Sequence, residues 1–104
     1  MSIKLLADGQ LPNAKGTLYT VPASTTTIIK TITYVNTDSV TQDVNLYVNN
    51  GTSRRIIPMN MELGIGYLAV MDDELTLEAA DLIEGDANTA AKVDYTISGI
   101  EKTT

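Results

Sequence analysis

The sequence has no cysteine, no histidine, no tryptophan and no phenylalanine. Without cysteine no disulfide can staple the fold, and no thiolate can ligate a metal or attack a substrate. Without histidine the usual general base near neutral pH is missing. A serine or threonine nucleophile would then need a lysine or carboxylate activator, and no such signature is present. No enzymatic activity and no cofactor are expected. Basic residues are scarce as well: seven Lys and Arg face thirteen Asp and Glu, for a net charge of −6. A phosphate backbone or an anionic bilayer needs clustered cations, so nucleic acid and membrane are not expected as partners.

Long apolar runs are lacking too. The longest uncharged stretch contains Leu18 to Ile29, half of which is Thr, Ser and Pro, and does not suit a bilayer. The N-terminal Met1-Ser2-Ile3-Lys4-Leu5-Leu6-Ala7 meets Asp8-Gly9 too early for a signal-peptide core, so no targeting signal is expected. At 104 residues the chain has the length of one domain with a thin core. Stability must come from packing, from pairing with other chains, or from both.

What is present is β-forming. Fifteen Thr accompany abundant Ile and Val, and five Tyr (Tyr19, Tyr34, Tyr47, Tyr67, Tyr95) supply every ring. β-Branched side chains are stiff at χ1 and fit a pleated surface. Two segments alternate cleanly. Val44, Leu46 and Val48 share one face against Asp43, Asn45, Tyr47 and Asn49; Val93, Tyr95 and Ile97 point inward against Asp94, Thr96 and Ser98. Further strands are expected at 3–7, 17–21, 27–36, 54–59, 67–71, 75–78 and 82–86. Within 27–36, Ile28, Ile32 and Tyr34 share a parity that Ile29 and Val35 break, which predicts a bulge. Lys30 falls awkwardly on the inward parity.

Turn signals separate these runs: Asp8-Gly9, Val21-Pro22-Ala23, Asn36-Thr37-Asp38-Ser39, Asn49-Asn50-Gly51, Met71-Asp72-Asp73-Glu74 and Glu84-Gly85-Asp86-Ala87-Asn88. Only 86–92 suits a helical turn. The pattern predicts an all-β antiparallel sandwich of about eight short strands, jelly-roll or immunoglobulin-like, over residues 13–104. Residues 1–12 form an N-terminal arm or edge strand before it.

Candidate chemistry is sparse. The acidic run Asp72-Asp73-Glu74, with Asp81, Glu84 and Asp86 downstream, invites a calcium reading. Its spacing matches no EF-hand loop, and adjacent strand residues diverge, so solvated turn carboxylates are the expectation and no metal is assigned. Gly64-Ile65-Gly66 lacks the helix and lysine of a phosphate loop and reads as a turn before Tyr67. Arg54-Arg55 is the only arginine pair; one is expected to bond within the chain and the other to face outward. Tyr47 is the best outward-facing ring. Candidate interface residues are therefore Ile3, Leu5, Leu6, Tyr47, Arg54 and Arg55.

Several segments taken in order resemble a recurrent block in small β-sandwich virion proteins of tailed bacteriophages. They are Gly16-Thr17-Leu18-Tyr19-Thr20-Val21-Pro22-Ala23, Ile29-Lys30-Thr31-Ile32-Thr33-Tyr34-Val35-Asn36-Thr37, Val44-Asn45-Leu46-Tyr47-Val48, Leu75-Thr76-Leu77-Glu78-Ala79-Ala80-Asp81-Leu82-Ile83-Glu84-Gly85 and Val93-Asp94-Tyr95-Thr96-Ile97-Ser98-Gly99-Ile100-Glu101. The resemblance spans about residues 11 to 101 and implies a non-catalytic structural protein of head, neck or tail. One departure is the family's Ala-Gly-Asp turn, which reads Ala79-Ala80-Asp81 here. The expected role is a capsid decoration or cement protein on the virion surface, made in the host cytoplasm. Its expected partners are the major capsid protein and further copies of itself, with a trimer favoured. The alternative is a tail, neck or fibre component binding a receptor or carbohydrate.

Overall fold

The computed structural model describes residues 3–72 and 74–103; of the acidic run, Asp73 lies outside them. Ten strands follow in order: β1 (Lys4–Gln10), β2 (Gly16–Thr20), β3 (Thr25–Asn36), β4 (Gln42–Asn49), β5 (Ser53–Arg55), β6 (Met61–Leu63), β7 (Leu68–Met71), β8 (Leu75–Leu77), β9 (Leu82–Ala87) and β10 (Val93–Thr103). There is no helix among the described residues, hence none long and apolar enough to cross a membrane. The stretch 86–92 ends β9 and turns into β10 instead.

The strands pair by nesting. The first strand pairs with the last, the second with the ninth, the third with the seventh and eighth, and the fourth with the fifth and sixth, all antiparallel. Successive pairs fall in alternate sheets, giving the orders β1-β10-β3-β7 (with β8 also on β3) and β2-β9-β4-β5 (with β6 also on β4). The chain is thus one long hairpin rolled into two facing sheets, the jelly roll, and the immunoglobulin alternative is set aside.

Between the sheets lies an aliphatic core of Leu11, Ile29, Ile32, Val44, Leu46, Ile83, Val93 and Ile97, with Tyr34 as its largest fully buried side chain. Each such aliphatic side chain contributes about 1.5–3 kcal/mol relative to exposure. Val44 and Leu46 point inward as the alternation requires, as do Val93, Tyr95 and Ile97.

The parity slip in the longest strand is a bulge. Ser98 pairs with Thr31 but Gly99 pairs with Ile29, leaving Lys30 as the extra residue. Ile29 is therefore the core residue and Ile28 the half-buried outer one, the reverse of what alternation from Ile28 suggested. The bulge also turns Lys30 outward, where its Nζ meets Glu74 Oε2 at 2.6 Å. The partner edge breaks at the same place: β7 pairs with residues 32–35 of β3 and β8 with residues 27–29. At the bulge the strands approach so closely that a Cβ on Gly99 would stand 2.1 Å from the Ile28 carbonyl oxygen.

Loops are fastened by buried polar side chains. Asn36 Nδ2 donates to the carbonyls of Val40 and Leu63, each at 2.9 Å, while its Oδ1 accepts from Asp38 N at 2.8 Å. Gln42, fully buried, donates to Asp38 Oδ2 at 2.7 Å and accepts from Thr89 N at 3.1 Å. No buried side-chain polar atom among the described residues lacks a partner, as a dry interior requires. The turn at 78–81 closes with Asp81 N donating to Glu78 O at 3.0 Å, and Ala80 sits at φ 72°. The alanine thus holds the left-handed position of a type II turn that glycine ordinarily fills.

Candidate interaction surface

The two outer faces differ in kind. On the face of β4, β5 and β9, polar side chains satisfy one another. Asn45 Nδ2 donates to Asp86 Oδ1 at 2.8 Å and to Asn60 Oδ1 at 3.1 Å, and its Oδ1 accepts from Arg55 at 2.7 Å. Glu84 Oε1 accepts from Ser53 Oγ at 3.2 Å and from Asn49 Nδ2 at 3.3 Å.

Tyr47 lies on this face, as its parity requires, but it is only 8% exposed. Lys15 Nζ stands 4.0 Å from the ring centroid on one side and the Arg55 guanidinium 4.9 Å away. Such cation–π contacts contribute about 0.5–1 kcal/mol at exposed sites. The expectation of an available outward ring is therefore corrected: two cations cover it. Of the arginine pair, Arg55 is engaged with Asn45 and Tyr47, and Arg54, on the opposite side of β5, is exposed.

The other sheet exposes aliphatic side chains at both ends. At one end, β1 is an edge strand bonded only to β10 among the described residues, with a bulge between Leu5 and Ala7. Leu5 pairs with Ser98 and is exposed, as is Ile3, while Leu6 is half-buried against the core. At the opposite end, β7 bonds only to β3 among the described residues. Its alternation sends Ala69 and Met71 inward and leaves Leu68 and Val70 exposed. Tyr67, at 68% exposure the most open ring, and Ile65 continue the same edge. Gly64 to Tyr67 form a tight turn, with Tyr67 N donating to Gly64 O at 3.1 Å and Gly66 at φ 76°. The glycine pair is thus a turn.

The apolar β7 edge was not among the sequence candidates. Its signal was available: the eight residues Gly64 to Met71 carry no charge.

A charged group spans the sandwich. Tyr19 Oη, from β2, donates to Glu101 Oε2 at 2.6 Å and lies 2.8 Å from Thr27 Oγ1, while Lys4 Nζ meets Glu101 Oε1 at 2.8 Å. Burial, aided by the Glu101 hydrogen bond, pushes the Tyr19 hydroxyl up to about 12. Hydrogen bonds from Lys4 first and Tyr19 second hold the Glu101 carboxyl below its ordinary value. This is a clamp between sheets, holding β1 through Lys4. No cavity and no acidic cluster with metal-ligand geometry occur among the described residues.

No protein-family model and no curated protein matches the chain. Among solved structures it is similar to a pentameric capsid protein isolated from metagenomic phage sequences, at a TM-score of 0.44 and 15% identity, covering 93% of this chain and 59% of that one. The chain thus spans less than two thirds of that protein's length. A likeness at that score carries no functional weight.

Proposed function

We propose that this jelly roll is a non-catalytic structural protein of a tailed-phage virion, docking in many copies on the capsid shell as a decoration protein and associating with itself, a trimer favoured. The observation that carries the reading is the contrast between faces. One outer face is a closed polar network, while both free edges of the other sheet expose aliphatic side chains. Contiguous exposed apolar surface of this kind marks sites of association with protein. The ordered sequence blocks that resemble small phage virion proteins supply the particular setting. Ile3 and Leu5 are apolar anchors on this reading, and exposed Arg54 is available to acids on the shell.

A carbohydrate-binding role on the tail draws less support, because Tyr47 is covered and exposed Tyr67 is a single ring with no second open ring beside it among the described residues. Gel densitometry of purified particles tests the assignment. A copy number in the hundreds, comparable to the major capsid protein, is expected. A few copies per particle would move the chain to the tail or neck, and absence from the particle would overturn the proposal.

A further inference from the structure

The two apolar edges belong to one sheet and stand at its opposite ends. Resting on the structural reading above, we infer that β7 is the docking site for β1 of a second copy, so that the β1-β10-β3-β7 sheet continues from one copy into the next. Strand direction favours this partner. Neighbours in the sheet alternate in direction, so a β1 placed beyond β7 of an equivalently oriented copy runs antiparallel to it. That pairing satisfies backbone groups that both edge strands leave open.

The side chains agree. In this arrangement the outward side chains of Ile3 and Leu5 come beside those of Val70 and Leu68. The exposed parts of Ile65, Tyr67, Leu68 and Val70, backbone and the Tyr67 hydroxyl included, come to roughly 450 Å², within the range of the largest apolar patch of an ordinary monomer. Ile3 and Leu5 bring the exposed area of these six residues to roughly 650 Å², against about 900 Å² of apolar area in a standard interface of about 1,600 Å². The paired backbone and the flanking polar rim make up the rest. Because the contact joins different patches, it is heterologous and closes into a ring when the rotation between copies allows.

Light scattering at tens of micromolar tests this on the free protein, independently of where it sits in a virion. Wild type is expected to give a closed oligomer. Leu5→Lys and Val70→Lys should each give the monomer mass, and Met59→Lys, an equally exposed apolar site away from both edges, should not. Mixing the two edge variants should give a heterodimer, because one retains an intact β7 and the other an intact β1. Circular dichroism verifies that each variant folds; if either fails, Ile3→Asp and Leu68→Asp replace them. A monomeric wild type, or a Val70→Lys oligomer of wild-type mass, would overturn the inference. So would a Leu5→Lys variant that keeps the wild-type mass, which would assign β7 to itself, or a mixture that stays monomeric.

Discussion

Replacing Gly99 by alanine probes the bulge that sets the register of the whole β3–β10 ladder. The added Cβ would stand 2.1 Å from the Ile28 carbonyl oxygen and 3.1 Å from both the Ile28 carbonyl carbon and Ile29 Cα. All three are backbone atoms, so no rotamer change relieves the clash, and β3 must move away by about 1 Å to reach ordinary contact distance. That movement lifts Ile29, and with it the core contacts it shares with buried Ile32 and Ile97. Overpacking of this kind costs about 1–3 kcal/mol. Two strained ladder hydrogen bonds beside the bulge add about 1 kcal/mol each. The lower entropy of the unfolded alanine chain offsets about 0.4–1 kcal/mol. The net loss is about 3 kcal/mol, a fall in Tm of roughly 15 °C for a domain of this size. Gly66→Ala is the control, since at φ 76° it has the wrong conformation for alanine but nothing within 4 Å of the new Cβ. It should cost only about 1–2 kcal/mol. Differential scanning calorimetry decides: equal losses for the two variants, or a Gly99→Ala Tm within a few degrees of wild type, would refute the close-approach argument.

Ala80→Gly should stabilise by up to about 1 kcal/mol, because relief of an alanine at φ 72° outweighs the added unfolded-state entropy; urea midpoints measure it. Asn36→Ala removes four hydrogen bonds that tie separate loops to the end of β3 and should cost about 2–4 kcal/mol in the same assay. The Tyr19 hydroxyl is raised from 10.0 to about 12, so its contribution is complete below pH 10 and is lost as pH climbs from there through 12; Tyr19→Phe should flatten that alkaline decline. Glu101 is lowered, so its contribution is complete above its ordinary carboxyl range and is lost as pH falls through it; Glu101→Gln should flatten the acid limb of the Tm profile.

The parts of the fold legible in the sequence are those where one face is wet. Val44, Leu46 and Val48, and again Val93, Tyr95 and Ile97, alternate with polar residues, and the register follows directly. The parity slip announced a bulge, but alternation alone did not say which residue was extra, and Ile28 was given Ile29's place. The segment 54–59 read as one strand because it carries two isoleucines. In the structure β5 ends at Arg55, and Ile57 leaves the ladder to fill the core. Pro58, with no N–H to donate, follows it, and the short β6 resumes pairing with β4. Tyr47 failed for a different reason. Its outward parity is right, but Lys15, which covers it, comes from a loop far away in sequence, and no local pattern carries that contact.

A jelly roll leaves edges at both ends of both sheets, and this chain treats the two sheets differently. On the β4 sheet, β5 is only three residues long and two of them are arginine; β2 is flanked by Lys15 before it and Pro22 after it. Short strands, charge and proline are the usual devices that stop an edge from pairing with another chain. On the β3 sheet, β7 is also short, but its two outward positions are Leu68 and Val70, and its charge is confined to the acidic residues that follow it. A lysine at either position would cost the monomer almost nothing, since both side chains are mainly in solvent. The apolar choice therefore has no rationale within one copy. On the proposed pairing with β1 of a second copy it has one, because there the same residues would lose their water and the open ladder of β7 would find a partner. At the far end of the same sheet β1 exposes Leu5 next to Ile3, although its further outward residues Asp8 and Gln10 are polar, so on the proposed pairing one sequence supplies both halves of the contact. On that pairing, assembly would need no second protein to begin.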